Sequence, residues 1–369
     1  IRDRFYTNNV AAFVRSRIEV TMSEKYVAYV GSYTHDSSKG ITILDVDNEA
    51  GRMAYREEVI VNNSSYLIVS HSGRYLYSIV DEGIASFKIL PDGGLEYMTT
   101  SSIKGMRGCH LSMTKADDYI FVSGYHDGKL TVLHVNEDGT VGNITDEIYH
   151  KGMGSIAERN FRPHINCSVL TPDEDLLCVC DIGMDQVKLY EFNKATGRLK
   201  LSDIIRCQLE SAPREITFSP DGKFAYIVCE LKNYIDVYRY TQDARTRFEF
   251  VQNIFTVRKG HKENTAAAAI QVSKNGDYVL CSNAGDNSVT IYSTDKESGL
   301  LTLKNSLPIS GDYPKDINLF PDEKHLVSVN HESGSLTFFT INYEKGLLVM
   351  NGNPIKIDTP NCITIHKLA

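Results

Sequence analysis

Residues Pro220-Asp221-Gly222-Lys223, followed by Phe224-Ala225-Tyr226-Ile227-Val228, join a tight polar turn to a short strand-like stretch. Pro, Asp and Gly favour β-turns, whereas aromatic and β-branched residues favour strands. Six units of this kind occur in the chain, and their turns are His71–Arg74, Lys115–Asp118, Pro172–Asp175, Pro220–Lys223, Lys274–Asp277 and Pro321–Lys324. The third residues of successive turns lie 44 to 57 residues apart, which is typical of a repeat architecture.

A second strand follows each turn-and-strand unit about ten residues later, as Ile235–Tyr238 does. In most units a Gly-containing turn such as Thr196-Gly197 comes next, and these are hairpin signals. Near the N-terminus, Tyr26–Val30 and Ile41–Leu44 match the second and third strands of a unit that lacks its first strand. The C-terminal stretch Cys362–Ile365 resembles that missing strand.

Six complete units and one unit divided between the two chain ends predict an all-β, seven-bladed β-propeller of four-stranded antiparallel blades. Pairing of the C-terminal strand with the N-terminal blade would close the ring and remove the exposed strand edges of an open array. No segment keeps a 3.6-residue period for three turns, so we expect almost no helix. Residues 22–369 are predicted to form this single domain. Residues 1–21 match no repeat, and we expect an added leader or a disordered extension there.

The composition is that of an ordinary globular protein, with 42% hydrophobic and 23% charged residues. A formal net charge of -8 argues against nucleic acid or an anionic membrane as a partner. The eight cysteines form no CxxC pair, which disfavours zinc-ribbon and thioredoxin-type sites and favours a reducing compartment. We therefore expect a cytoplasmic protein, monomeric or weakly dimeric.

The ends of the inner strands supply the candidate functional residues. In a propeller, the residues before the first strand and after the second strand of each blade share one rim. Ionisable side chains are frequent at these positions, and such a channel mouth is where binding and perturbed pKa values are expected. The candidates read at this rim are Tyr125, His110, Arg162, His164, Asp181, Arg214, Glu230, Asn283, Lys315 and His331.

Several short motifs at blade spacing resemble those of the lactonase family of seven-bladed propellers. They include Tyr29–Thr34, Arg159–His164, Asp181–Asp185, Pro213-Arg214 and Glu230-Leu231. The family contains bacterial 6-phosphogluconolactonase and the fungal carboxy-muconate lactonising enzyme. The resemblance extends over nearly the whole chain, from Tyr26 to Ile365.

The resemblance implies hydrolysis of a sugar lactone, with 6-phosphogluconolactone as one candidate substrate. It assigns catalytic roles to His164, Arg214 and Glu230, and it implies neither a cofactor nor a metal. The substrate-binding residues that we expect beside them are Arg159, Arg162, His110, Tyr125, Asp181, Asn283, Lys315 and His331.

Three positions depart from the family pattern. Asn166 and Glu215 replace histidines, and Ala284 replaces a second arginine. At a further position Lys315 stands where arginine is usual, and a lysine point charge replaces a bidentate guanidinium poorly. Two alternatives therefore stay open, a non-catalytic propeller that binds ligands and a muconate-type lactonising cycloisomerase.

Overall fold

A computed structural model describes residues 24–154, 161–261 and 264–368, and residues 1–21 lie outside this part of the chain. The described residues form seven antiparallel sheets. The four-stranded blade 1 contains β1 (Tyr26–Ser32), β2 (Gly40–Asp47), β3 (Arg52–Ile60) and the last strand of the chain, β29 (Pro360–Lys367). One 3₁₀ turn, Ile182–Met184, is the helical structure within the described ranges. None of the helices found there is long and apolar enough to cross a membrane.

The other six blades each use consecutive strands. Blade 2 consists of β4 (Leu67–Val69), β5 (Tyr75–Val80), β6 (Gly83–Ile89) and β7 (Leu95–Ser101), and blade 3 of β8 (His110–Met113), β9 (Tyr119–Ser123), β10 (Lys129–Val135) and β11 (Val141–Tyr149). Blade 4 consists of β12 (Ile165–Leu170), β13 (Leu176–Asp181), β14 (Gln186–Asn193) and β15 (Arg198–Arg206), and blade 5 of β16 (Pro213–Phe218), β17 (Phe224–Cys229), β18 (Tyr234–Tyr240) and β19 (Phe248–Phe255). Blade 6 consists of β20 (Ala266–Val272), β21 (Tyr278–Ala284), β22 (Ser288–Thr294) and β23 (Leu301–Pro308), and blade 7 of β24 (Pro314–Leu319), β25 (His325–Asn330), β26 (Ser335–Asn342) and β27 (Leu347–Met350), with β28 (Ile355–Lys356) also on β26.

The predicted ring closure is confirmed. Strand β29 pairs antiparallel with β1, so that Cys362 lies opposite Gly31 and His366 opposite Val27. The first strands of neighbouring blades contact one another all the way round, and β29 contacts both β4 and β24. The seven-bladed, four-stranded architecture predicted from the turn repeat is therefore correct.

The apolar core is divided among the blade interfaces. Each of the seven interfaces holds one cluster of buried side chains, including the interface between blades 7 and 1. There Val30 and Leu44 of blade 1 pack with Phe320 and Val329 of blade 7, all with no exposed surface. Burying such side chains contributes about 1.5–3 kcal/mol each, so closure is driven by packing as well as by strand pairing.

The repeated turns lie at the end of the ring opposite the rim. The third residue of every one of the six turns has a positive φ, between 59° and 74°. Three of these residues are glycines, such as Gly222, which adopt this conformation without strain. The other three are Asp117, Glu174 and Glu323.

The three acidic residues each accept a backbone hydrogen bond from the turn of the preceding blade. The Asp117 carboxylate accepts the His71 N–H at 2.7 Å, Glu174 accepts from Lys115 at 2.6 Å, and Glu323 accepts from Lys274 at 2.7 Å. Hydrogen bonds to charged groups contribute about 1.5–3 kcal/mol, which offsets the cost of the left-handed backbone. These contacts join neighbouring blades at the end of the ring opposite the rim.

Candidate active site

β-Bulges at the rim aim four side chains into the channel. In blade 5, Pro213 pairs with Cys229 and Glu215 pairs with the adjacent Val228, so Arg214 is the extra, unpaired residue of β16. The same irregularity leaves Asn166 in β12, Lys315 in β24 and Asn361 in β29. A bulge bends its strand and redirects a side chain. We call these four residues, which all line one cavity, the mouth layer.

The cavity has a volume of about 340 Å³ and lies at the mouth of the central channel. A deep layer lies beneath the mouth layer, because each inner strand runs from the rim down the channel. It comprises the residues that follow three of the bulges and the corresponding residues of blades 2 and 3. The deep layer contains Tyr66, His110, Cys167, Glu215 and Asp316.

Arg214 and Glu230 form an ion pair in the cavity wall. The guanidinium Nη1 lies 2.6 Å from the Glu230 carboxylate, which follows β17 and is 2% exposed. Burial lowers the pKa of Arg214, but the charge and hydrogen bond of Glu230 outweigh it and raise the pKa above its usual range. The Asn166 side-chain amide donates to the Arg214 carbonyl at 3.0 Å and fixes the bulge. A permanent cation and a carboxylate thus face the same space.

Two further cations lie over one aromatic ring at the mouth. The Lys315 ammonium and the Arg107 guanidinium lie 5.2 Å and 5.0 Å from the Tyr33 ring centre. Arg107 also pairs with Asp81 at 2.9 Å, whereas no carboxylate within the described ranges lies within 4 Å of the Lys315 ammonium. Burial, with the nearby Arg214 charge, lowers the pKa of Lys315 to about 8. The mouth can therefore receive an anion.

Two carboxyl groups of the deep layer have raised pKa values. Asp316 accepts the backbone N–H groups of Ile317 at 2.8 Å and Ile363 at 2.9 Å, yet burial raises its pKa to about 6. Burial and the neighbouring Asp316 charge raise the pKa of Glu215 well above its usual range. The floor of the cavity thus combines a carboxyl that favours its proton with one that ionises more readily.

His110 lines the same cavity and acts on the Asp316 carboxyl. Its ring lies 4.6 Å from the ring of Tyr66, and its Nε2 lies 3.6 Å from the Cys167 sulfur. The buried Nδ1 of His110 makes no hydrogen bond within the described part of the chain. This imidazole is held by packing and retains one nitrogen for a ligand or a water.

The structure places His164 and Asp181 outside the cavity lining. His164 stacks on Tyr125, with ring centres 4.4 Å apart, and its Nδ1 donates to the Tyr125 carbonyl at 2.7 Å. Tyr125 itself lines the cavity, so His164 lies behind it. The fully buried Asp181 accepts from the His164 backbone N–H at 2.9 Å and contacts the His150 Nδ1 at 2.6 Å. Both residues support the rim from behind.

Three more predicted binding residues lie elsewhere. Arg162 is exposed beside Phe161, and Asn283 is buried in blade 6, where its amide bonds the Thr256 carbonyl at 2.9 Å. His331 contacts the edge of Tyr33 without lining the cavity. Arg159 lies outside the described residues. Of the residues predicted from sequence, His110, Tyr125, Arg214, Glu230 and Lys315 line the cavity together.

Sequence reasoning missed several lining residues, among them Arg107, Tyr313 and Asn361. Asn361 could have been found, because it precedes Cys362 in the closing strand as Arg214 precedes Glu215 in blade 5. Arg107 lies in a loop without a repeat signature. Its guanidinium nevertheless gives the mouth a second arginine besides Arg214. Ala284, which replaces the second arginine of the family pattern, is buried at 1% exposure.

In the part of the chain that the structure describes, one group of possible metal ligands lies away from the cavity. Cys207, Cys229 and Asp236 place their ligand atoms within 4.8 Å of one another. Burial raises the pKa values of Cys229 and Asp236, so a metal would have to displace their protons. The Asp236 carboxylate already accepts from the Asn253 amide at 2.7 Å.

Comparison with known proteins identifies the family. The model of the seven-bladed β-propeller lactonases matches residues 27–365. The 6-phosphogluconolactonase of Bacillus subtilis is 29% identical over 345 residues, 92% of this chain and 98% of that protein. The 6-phosphogluconolactonase of Formosa agariphila is 27% identical, covering 87% and 94% of the two chains. A Lactobacillus plantarum crystal structure, 27% identical, superposes with a TM-score of 0.85 over 92% of this chain and 99% of that one. The expectation of a lactonase-type enzyme is thereby confirmed, and the chain belongs to the lactonase family of seven-bladed β-propellers.

Proposed function

We propose that this protein hydrolyses a sugar lactone that carries an anionic group, with 6-phosphogluconolactone as the leading candidate. The observation that carries the proposal is the Arg214–Glu230 ion pair, which faces the cavity from a β-bulge beside Lys315. Relatives named 6-phosphogluconolactonase, 27–29% identical over most of the chain, support the substrate class.

Lactone hydrolysis requires an activated water, a stabilised oxyanion and a protonated leaving group. Glu230 accepts a proton from water while the water oxygen attacks the lactone carbonyl carbon. The Arg214 guanidinium then stabilises the negative charge that develops on the carbonyl oxygen. Preorganised cations of this kind are usually the largest contribution to such catalysis.

The charge distribution of the mouth supports an anionic substrate. The two cations over Tyr33 differ in their availability to a substrate. Arg107 is paired with Asp81, whereas Lys315 has no carboxylate within 4 Å in the described ranges. Lys315 is therefore the cation that we expect to contact a phosphate or carboxylate of the substrate. Charge-assisted hydrogen bonds of this type are about twice as strong as neutral ones.

The proposal is tested with δ-gluconolactone and its 6-phosphate, each followed by acid release in a pH-stat above the spontaneous rate. We expect Arg214→Ala to lower kcat by about 10²–10³, since it removes the oxyanion donor. Glu230→Gln should lower kcat by about 10²–10⁴ through loss of the base. Arg206→Ala, at an exposed position of β15, is the matched control and should behave as wild type.

Undiminished turnover in Arg214→Ala would contradict the assignment of the oxyanion donor. Binding of gluconate without any wild-type turnover of either lactone would instead favour the non-catalytic propeller. Thermal melting of each variant checks that the fold is retained.

A further inference from the structure

We propose that Glu215, in the deep layer, donates the proton that the leaving ring oxygen takes up when the lactone opens. This inference rests on the proposed lactone hydrolysis and adds the residue that completes it. Glu215 stands where the family pattern has a histidine, so the proposed role is specific to the sequence of this chain.

Glu215 lies where a proton donor is needed. It follows Arg214 directly in β16, and both side chains line the cavity. A lactone whose carbonyl oxygen contacts Arg214 therefore has Glu215 as the next polar group further down the channel. In the described ranges Glu215 forms no ion pair, so its carboxyl group is not committed to a cation in the way that Glu230 is committed to Arg214.

The neighbouring blades leave Glu215 facing a second carboxyl. The equivalent residue of blade 7 is Asp316, and blade 6, between them, contributes the small side chain of Ala269 to the cavity. Two carboxyl groups that share a small enclosed space resist being ionised together. One proton is therefore retained by the pair near neutral pH.

The backbone decides which of the two carboxyls holds that proton. Asp316 accepts two backbone N–H groups, from Ile317 and Ile363, whereas Glu215 has one backbone donor, Ile270, and such donors favour a carboxylate. The other titratable or charged groups that line the cavity around Glu215 are Arg214, Tyr66, His110 and Cys167. The Arg214 charge favours the carboxylate form of both Glu215 and Asp316, whereas His110 favours the carboxylate form of Asp316. Glu215 thus holds the proton and Asp316 holds the charge. Carboxyls whose environments push their protonation apart commonly divide the acid and base roles.

The complete step balances with these groups. Glu230 takes a proton from water as the new carbon–oxygen bond forms, and Arg214 holds the resulting oxyanion. When the oxyanion collapses, the bond between the carbonyl carbon and the ring oxygen breaks. Its electron pair remains on the ring oxygen, which takes the Glu215 proton and becomes a hydroxyl. Glu230 then returns its proton to Glu215 through solvent, and lactone plus water has become a hydroxy acid.

The test compares two lactones with different leaving groups, δ-gluconolactone and dihydrocoumarin. Gluconolactone releases an alkoxide that must be protonated, whereas dihydrocoumarin releases a phenoxide, whose conjugate acid has a pKa of about 10 and needs little help. We expect Glu215→Gln to lower kcat/KM by about 10²–10⁴ on gluconolactone and by less than about tenfold on dihydrocoumarin. Glu249→Gln, an exposed change on β19 of the same blade, is the matched control.

A second readout is the pH profile of kcat on gluconolactone. Wild-type kcat should fall on the alkaline side as Glu215 loses its proton, and this limb should be absent in Glu215→Gln. Equal losses on the two lactones, or an unchanged alkaline limb, would overturn the role of Glu215 but leave the proposed hydrolysis standing. A wild-type protein that opens neither of these lactones nor 6-phosphogluconolactone would refute the proposed hydrolysis and this role with it. Thermal melting separates either result from a folding defect.

Discussion

Anion binding at the mouth should weaken as Lys315 loses its proton. Burial and the Arg214 charge lower the pKa of Lys315 to about 8, far below that of an exposed lysine. The ammonium form therefore falls from about 90% of molecules at pH 7 to about 10% at pH 9. If the bound anion requires that ammonium, its affinity falls about tenfold over this range. The affinity falls rather than rises with pH, because Lys315 is positively charged below its pKa and neutral above it.

The assay uses titration calorimetry with gluconate and 6-phosphogluconate, which are the stable products and carry a fixed carboxylate over this pH range. The neighbouring Cys109, Cys362, His126 and Tyr33 keep their protonation state between pH 7 and pH 9. Burial raises the pKa values of the Cys109 and Cys362 thiols to about 12, and burial lowers the pKa of His126. Tyr33 also has a raised pKa, so its hydroxyl stays protonated.

Two variants isolate the contribution of Lys315. Lys315→Arg keeps a permanent cation and should bind with little change from pH 7 to pH 9. Lys315→Met should bind about 10–100-fold more weakly at pH 7, since a charged hydrogen bond of about 1.5–3 kcal/mol is lost. Any pH dependence shared by all three proteins belongs to other groups, such as Glu215. The reasoning is refuted if wild type and Lys315→Arg lose affinity in parallel.

Three further predictions concern the scaffold and are checked by urea unfolding. Asp181→Ala should cost about 1–3 kcal/mol or more, because the buried His150 ring loses its acceptor, and an unchanged midpoint would contradict that role. Ile363→Ala, at 5% exposure in the closing strand, should cost about 2–5 kcal/mol, whereas Ile60→Ala, at 82% exposure, should stay within about 0.5 kcal/mol. Glu174→Ala should be less stable than Glu174→Gly by about 1 kcal/mol, because both lose the inter-blade bond but only alanine keeps the strain of φ 60°. Equal stability of those two variants would argue against that strain.

The blade count was predictable because the residues that define it obey local rules. A turn with a positive φ at its third position selects glycine, as at Gly222 and Gly276, or a residue with a compensating bond. The strands that follow are apolar on both faces, since they pack between neighbouring blades. Both signals recur in every unit, so the ring could be counted before any contact was known.

The division between residues that line the cavity and residues that lie behind it was less predictable. His164 and Arg214 both precede inner strands, and from sequence both belong to the rim. In the structure Arg214 lies at the bulge of β16, whereas His164 lies two residues before the bulge residue of β12, Asn166. The extra residue at each of these bulges therefore decides which side chain enters the mouth layer.

A bulge leaves little trace in the sequence, because it is defined by the partner strand. Side chains alternate between the two faces of a strand, so one inserted residue exchanges the faces of those that follow. The four mouth-layer residues Asn166, Arg214, Lys315 and Asn361 share no chemistry that would mark the insertion. They share a blade position, which becomes visible once the strand registers are compared.

Asn361 shows that ring closure and the cavity depend on the same strand. The residue lies at the bulge of β29, lines the cavity, and donates its side-chain amide to the Ser65 carbonyl of the segment before blade 2. Two residues later, the backbone N–H of Ile363 is bonded to the Asp316 carboxylate. The strand that completes blade 1 therefore also supplies one wall of the mouth layer and helps to hold the negative charge of the deep layer. Loss of closure would remove both at once, so stability of the ring and the electrostatics of the cavity cannot vary independently.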